Sequence, residues 1–272
     1  MKNYEKATSI KYSFFSKLLI WFFKNPVIIY TVGKVGSSTI ANTLRERGVQ
    51  EVQPHSLWYS NIGGYFVTPK ASKLRKFRNI SKTITIRFKT KAFLLKIRLF
   101  GPKVKIITLY RDPVARNISA FFEQFHHLSE RSVVEYDITE LIDMFWEYTN
   151  HSAPIDWFDL ELKRVMGVDI YQHDFDKSLG FLQFEYDKYK VLVIQMEKLS
   201  KLSGEIANFV TLPSFQVSST NRSDKKVYAE VYRQFKKEIS FPRSYLDKMY
   251  DTKAVKYFYT NEMISEFYEK WS

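Results

Sequence analysis

The chain contains no cysteine. Disulfides, thiolate metal sites and a cysteine nucleophile are therefore excluded, and a zinc site would need histidine and carboxylates alone. The five histidines, His55, His126, His127, His151 and His173, show no HExxH spacing. Glycine (9 residues) and proline (8) are scarce in a chain of 272, which excludes collagen-like and low-complexity architectures. No apolar run reaches the ~20 residues of a membrane span. The nearest approach, Tyr12 to Phe23, is interrupted by Lys17 and ended by Lys24-Asn25-Pro26. It also lacks the small-residue cleavage site of a signal peptide. Residues 1–25 read as an N-terminal helical extension, either a core or capping helix or an interfacial helix lying on a membrane.

Acidic residues are missing from one long stretch. From Val52 to Tyr110 there is no Asp or Glu against 13 Lys and Arg. Removing those 13 from the total of 42 leaves 29 basic residues against 29 acidic ones. One segment thus carries the whole formal net charge of +13, which excludes a uniformly basic protein of the histone type. The hydrophobic fraction of 45% can build a core, and the length suits a single domain over residues 1–272 with a basic helical insertion at 66–103.

Val27 to Val32 is a short β-branched run, as expected of a strand buried on both faces of a parallel sheet. It enters Gly33-Lys34-Val35-Gly36-Ser37-Ser38-Thr39 and then a helix with Ile40, Ala41 and Leu44 inward and Gly48 as its stop. A second unit starts at Val104 to Tyr110 and continues through Arg111-Asp112-Pro113, with Asp112 as N-cap and Pro113 as first helical residue. Val114, Ile118, Phe121, Phe122 and Phe125 form one buried face of that helix. A third strand is expected at Val191 to Met196, with Glu197 at its end supporting a loop. Helical spacing recurs at Glu140 to Thr149, Trp157 to Met166, Val227-Val231-Phe235-Ile239 and Met263 to Trp271. Strands alternating with helices give an α/β class: a central, mostly parallel sheet flanked by helices. Ligands bind such sheets at the carboxyl ends of the strands.

Two loops at those ends carry chemistry. The first offers glycines for close backbone approach, a helix N-terminus, three hydroxyls and the Lys34 ammonium, a set suited to phosphate or sulfate. It is not a Walker A motif, because its Lys comes early in the loop. The bland alternative is a loop that only turns the chain. In the second, Arg111 ends a strand and Ser119 lies two turns into the next helix, a second anion site. Arg111 could instead pair with Asp112 or a nearby carboxylate. Arg116 either assists or is a solvated surface charge.

These residues resemble a known family. GKVGSST after a buried strand is similar to the 5′-phosphosulfate loop of sulfotransferases, and RDPVARNISAFF to their 3′-phosphate motif. The sequence is most similar to bacterial sulfotransferase-like proteins described as capsular polysaccharide synthesis proteins. Pro54-His55-Ser56-Leu57, Trp157-Phe158-Asp159, Glu197 after a strand and Asn221-Arg222-Ser223 before lysines add to the resemblance.

The resemblance implies a P-loop NTPase-like sulfotransferase fold and an enzyme using 3′-phosphoadenosine 5′-phosphosulfate (PAPS), with PAP as product and no metal. Lys34 would face the bridging and sulfuryl oxygens. The amides of Val35 to Thr39 and the hydroxyls of Ser37, Ser38 and Thr39 would hold the 5′-phosphate. Arg111 and Ser119, with Arg116 nearby, would hold the 3′-phosphate. Lys225 or Lys226 would close over it, or be solvated surface lysines. His55 is the expected base, with Glu51 in reserve; His126 and His127 are expected to be packing or surface groups. The implied acceptor is a saccharide, anionic or lipid-linked, and the implied location is cytoplasmic with optional peripheral contact at the inner membrane face. The basic segment then reads as an acceptor-side surface, although any single lysine in it is as well explained as a solvated charge. Two other readings stand beside this one. One is a nucleotide-dependent kinase; the other is a non-catalytic basic module binding nucleic acid or membrane.

Overall fold

The computed structural model describes residues 27–56, 103–216 and 227–272. The N-terminal extension, the basic insertion up to residue 102, and Lys225 and Lys226 lie outside the described residues. Five strands form one sheet in the order β2-β1-β3-β5-β4: β1 Val27–Ile29, β2 Glu51–Val52, β3 Val104–Tyr110, β4 Phe181–Tyr186 and β5 Tyr189–Gln195. β2, β1, β3 and β5 run parallel, and β4 pairs antiparallel with β5 in a hairpin. The α/β class with a mostly parallel sheet is therefore as expected.

β1 is apolar and buried throughout, as a strand covered on both faces must be. It is shorter than the Val27 to Val32 run, because the carbonyls beyond it turn to other donors described below. β4 was not anticipated. It is the sheet's edge, half exposed along its length, so its alternation is too weak to read as a core strand.

Helices cover the sheet: α1 Ser37–Glu46, α2 Pro113–Gln124, α3 Ile138–Tyr148, α4 Ser203–Val210, α5 Ala229–Glu238, α6 Arg243–Tyr250, α7 Lys253–Phe258 and α8 Asn261–Trp271. α1 buries Ile40, Ala41 and Leu44. It ends at Gly48, whose φ of 72° lets its N–H reach Arg45 O at 3.0 Å. α2 starts as expected, with Asp112 Oδ1 accepting from the Val114 N–H at 3.0 Å. Its apolar face places Phe121 amid Phe122, Phe125, Phe145 and Phe235, with ring centroids 5.4 to 5.9 Å away. Much of the aromatic content thus joins α2 to α3 and α5, in mostly edge-to-face geometry.

Two expectations are corrected. Val227 is exposed and precedes α5, whose inward positions are Tyr232 and Phe235; an aromatic fills the face where a valine was expected. The segment expected as an ordinary helix is a π-helix over Phe158–Lys163, closed by one α-turn at Arg164–Met166. The wider turn sends Phe158, Glu161 and Leu162 inward together. Among the described residues, no helix is long and apolar enough to cross a membrane.

Candidate functional site

The loop after β1 is left-handed at three of four positions: Gly33 (φ 83°), Lys34 (φ 62°) and Gly36 (φ 85°). Lys34 is the costly one, at about 1–2 kcal/mol for a residue with a Cβ. Two arginines from the next strand-helix unit hold it there. Arg111 Nη1 donates to Lys34 O at 3.0 Å. Arg116 Nε donates to Gly33 O and its Nη2 to Val32 O, both at 3.3 Å. Arg116 Nη1 donates to Asn117 Oδ1 at 2.9 Å, and Asn117 Nδ2 donates to His151 O at 3.0 Å. Arg116 is fully buried. It is not the solvated charge that its spacing allowed; it braces the loop.

This bracing engages carbonyls of the loop and none of its amides. Among the described residues, the N–H groups of Val35, Gly36, Ser37 and Ser38 have no acceptor, whereas Thr39 N–H donates to Gly36 O at 3.1 Å. Thr39 is therefore the exception in the amide set expected over residues 35–39. α1 has neither a side-chain cap nor an acidic residue in its first turn, so its own first turn does not compensate its positive end. Ser37 is buried, and its Oγ accepts from Gln53 Nε2 at 2.6 Å, while Ser38 is exposed.

Lys34 Nζ lies 3.4 Å from Glu123 Oε2. Glu123 also accepts from the Tyr228 hydroxyl at 2.9 Å. Lys34 is thus paired across the loop to α2, within reach of the second anion motif.

His55 follows β2 on the same edge. Its Nδ1 lies 3.2 Å from Thr31 O. A carbonyl only accepts, so this bond puts the proton on Nδ1 and leaves Nε2 as the basic nitrogen. Burial, then the charges of Arg116 and Lys34, hold its pKa below the ordinary 6.5, against the favourable Thr31 carbonyl. The ring is consequently neutral at neutral pH. The π-helix secures its backbone: Trp157 Nε1 donates to His55 O at 2.9 Å. The Ser56 hydroxyl donates to the buried carboxylate of Glu161 at 2.6 Å, and the Tyr30 hydroxyl donates to the same group.

Glu51 is placed elsewhere. It pairs in register with Val27, at the start of β1, and its carboxylate meets Arg45 of α1. It is directed to an ion pair at the other end of the strand from the loop.

Arg111 has no carboxylate partner among the described residues, so the alternative of a pair with Asp112 is corrected. Asp112 is buried and taken by the Tyr250 hydroxyl and the Trp271 indole, each at 2.9 Å. Arg111 instead meets the Tyr232 hydroxyl. Ser119 is partly exposed on the α2 stripe that also carries Glu123. Glu197 supports a loop as expected. Its Oε1 accepts the Asp112 N–H and its Oε2 the Tyr259 hydroxyl, each at 2.9 Å. Burial raises its pKa. His126 and His127 are exposed, as anticipated. Gln53, Asn117, Glu123, Trp157 and Glu161 were not singled out from sequence as site residues. Each acts through a partner 16 or more residues away, or through a chain of such bonds, which spacing does not reveal.

A family model described as "Putative capsular polysaccharide synthesis protein" matches residues 133–260. The match takes in the π-helix, Glu197 and α5, and lies outside the first loop, His55 and the Arg111 motif. No curated protein and no solved structure matches the chain.

Proposed function

We propose that this protein is a sulfotransferase of the P-loop NTPase-like kind, moving a sulfuryl group from PAPS to a hydroxyl of a capsular or other surface saccharide. The observation that carries the reading is one composite edge. Four amides with no acceptor among the described residues and Lys34 follow β1, Arg111 follows the adjacent parallel strand β3, and a neutral histidine follows β2. The description of the family matched over residues 133–260 supports a capsular acceptor. The donor set fits a phosphosulfate: amides at an uncapped helix start suit tetrahedral anions, and the ammonium of Lys34 suits developing charge.

PAPS supplies, when bound, an activated sulfuryl group with the bisphosphate nucleotide as leaving group. The acceptor oxygen forms its bond to sulfur as the sulfur–oxygen bond to the 5′-phosphate breaks. His55 Nε2 takes the hydroxyl proton, which Nδ1 cannot do while bonded to Thr31 O. Lys34 and the loop amides offset negative charge growing on the leaving phosphate oxygen. For Lys34 to do so, its ammonium must exchange part of its pairing with Glu123 for the donor.

Thermal-shift and calorimetric titration test the reading. PAP should bind without magnesium, and ATP with magnesium should not stabilise the protein. Lys34→Ala should remove most transfer from labelled PAPS to capsular glycan with the fold intact. No PAP binding at millimolar concentration, or turnover unchanged by Lys34→Ala, would refute the proposal. Binding of ATP only with magnesium would favour a kinase.

A further inference from the structure

The C-terminal helices bring lysines to the second anion motif that no motif spacing indicates. Arg111 donates from Nη1 to Lys34 O and also meets the Tyr232 hydroxyl. The ring of Tyr232, on α5, carries Lys236 Nζ 4.6 Å from its centroid, one turn along the same helix. From α8, Lys270 Nζ lies 4.4 Å from the Trp271 ring centroid and 3.8 Å from Asp112 Oδ2, the residue after Arg111. Three elements distant in sequence therefore converge on one patch with positive charge.

Among the described residues, one carboxylate meets that patch, that of Asp112, which pairs with Lys270. Among the described residues, neither Arg111 nor Lys236 has a carboxylate partner. Arg233, a further cation acting on Lys236, is paired to Glu230. Asp112 already accepts from an amide, a phenol and an indole, and lies at the long limit of an ion pair from Lys270. Burial holds the Lys236 ammonium below the usual lysine range, and the charges of Lys270, Arg111 and Arg233 lower it further. Three cations gathered around one carboxylate repel one another, and a bound anion offsets that cost.

We propose that Lys236 and Lys270 complete the Arg111 site as a pocket for a phosphate monoester dianion, the 3′-phosphate of the nucleotide, and so select nucleotides that carry it. This rests on the donor reading above. The geometry favours the nucleotide over an anionic group of the acceptor. Arg111 touches the carbonyl of Lys34 itself, so a single ligand with two anionic groups reaches both the loop and the patch. A dianion uses several charged donors at once, which a monoanionic sulfate ester or carboxylate does less well.

Calorimetric titration with PAP and with adenosine 5′-monophosphate, which lacks the 3′-phosphate, tests this. Lys236→Ala should weaken PAP about tenfold, the loss of one charged hydrogen bond, and leave the monophosphate within about twofold. Lys270→Gln should act in the same direction, and Lys236→Arg should restore PAP affinity. PAP affinity unchanged in both variants, or an equal loss for the two nucleotides, overturns the assignment of the lysines while leaving the donor reading intact. Failure of the unaltered protein to bind PAP overturns both.

Discussion

His151 links the acid stability of the protein to the geometry of its anion loop. Its ring packs between Phe145, Trp146 and Tyr245, with centroids 4.9, 5.5 and 5.2 Å away. Nδ1 lies 2.8 Å from the Tyr245 hydroxyl, and Nε2 is buried with no partner at bonding distance among the described residues. Burial drives its pKa from 6.5 to about 4, the carbonyls of Trp146 and Phe145 opposing and Lys248 adding to the effect. The folded state therefore refuses a proton that the unfolded chain accepts between those values. The sign follows: stability is complete above pH 6.5 and is lost as pH falls to about 4. The slope is about 1.4 kcal/mol per pH unit, and the total is at most about 3.5 kcal/mol. Urea unfolding between pH 4 and 7 measures it, with His151→Gln as control. The variant is less stable at pH 7, through loss of ring packing, but its profile is flatter than that of the unaltered protein across this window. Parallel profiles would show that His151 does not titrate as argued. Because His151 O holds Asn117, which holds Arg116, ligand affinity should decline over the same window.

Three further outcomes are expected. Gly36→Ala places a Cβ 3.1 Å from Leu199 Cδ2 at a φ of +85°, and should cost about 1–2 kcal/mol by thermal unfolding and weaken PAP more than it weakens the fold; unchanged PAP affinity would argue against the loop as the 5′-phosphate site. Arg116→Ala strips donors from Val32 O, Gly33 O and Asn117 Oδ1 and should cost at least about 3 kcal/mol; a neutral effect in denaturant titration would contradict the bracing role. His55→Ala should lower transfer by about 10²–10⁴-fold with PAP binding retained, and the acid limb of the unaltered enzyme's rate should fall below the ordinary histidine value of 6.5; a limb above it would point to another base.

The sequence by itself determined the units of the site. A β-branched run into Gly-Lys-Val-Gly, and another into Arg-Asp-Pro, encode strand, turn and helix locally, through branching, left-handed glycines and a capping aspartate. The α/β class followed from their alternation. What spacing cannot carry is direction and burial. Arg116 and Ser119 lie three residues apart on one helix, yet one is sealed under the loop and the other reaches the surface. Glu51 and His55 share a short segment, yet an ion pair takes Glu51 toward Arg45 while Thr31 and Trp157 hold His55 at the edge. The tertiary structure alone decided those roles, because each depends on a partner brought close by sheet order and helix packing. The same holds for Lys236 and Lys270: the packing of α5 and α8 sets one over Tyr232 and the other toward Asp112, after the end of β3.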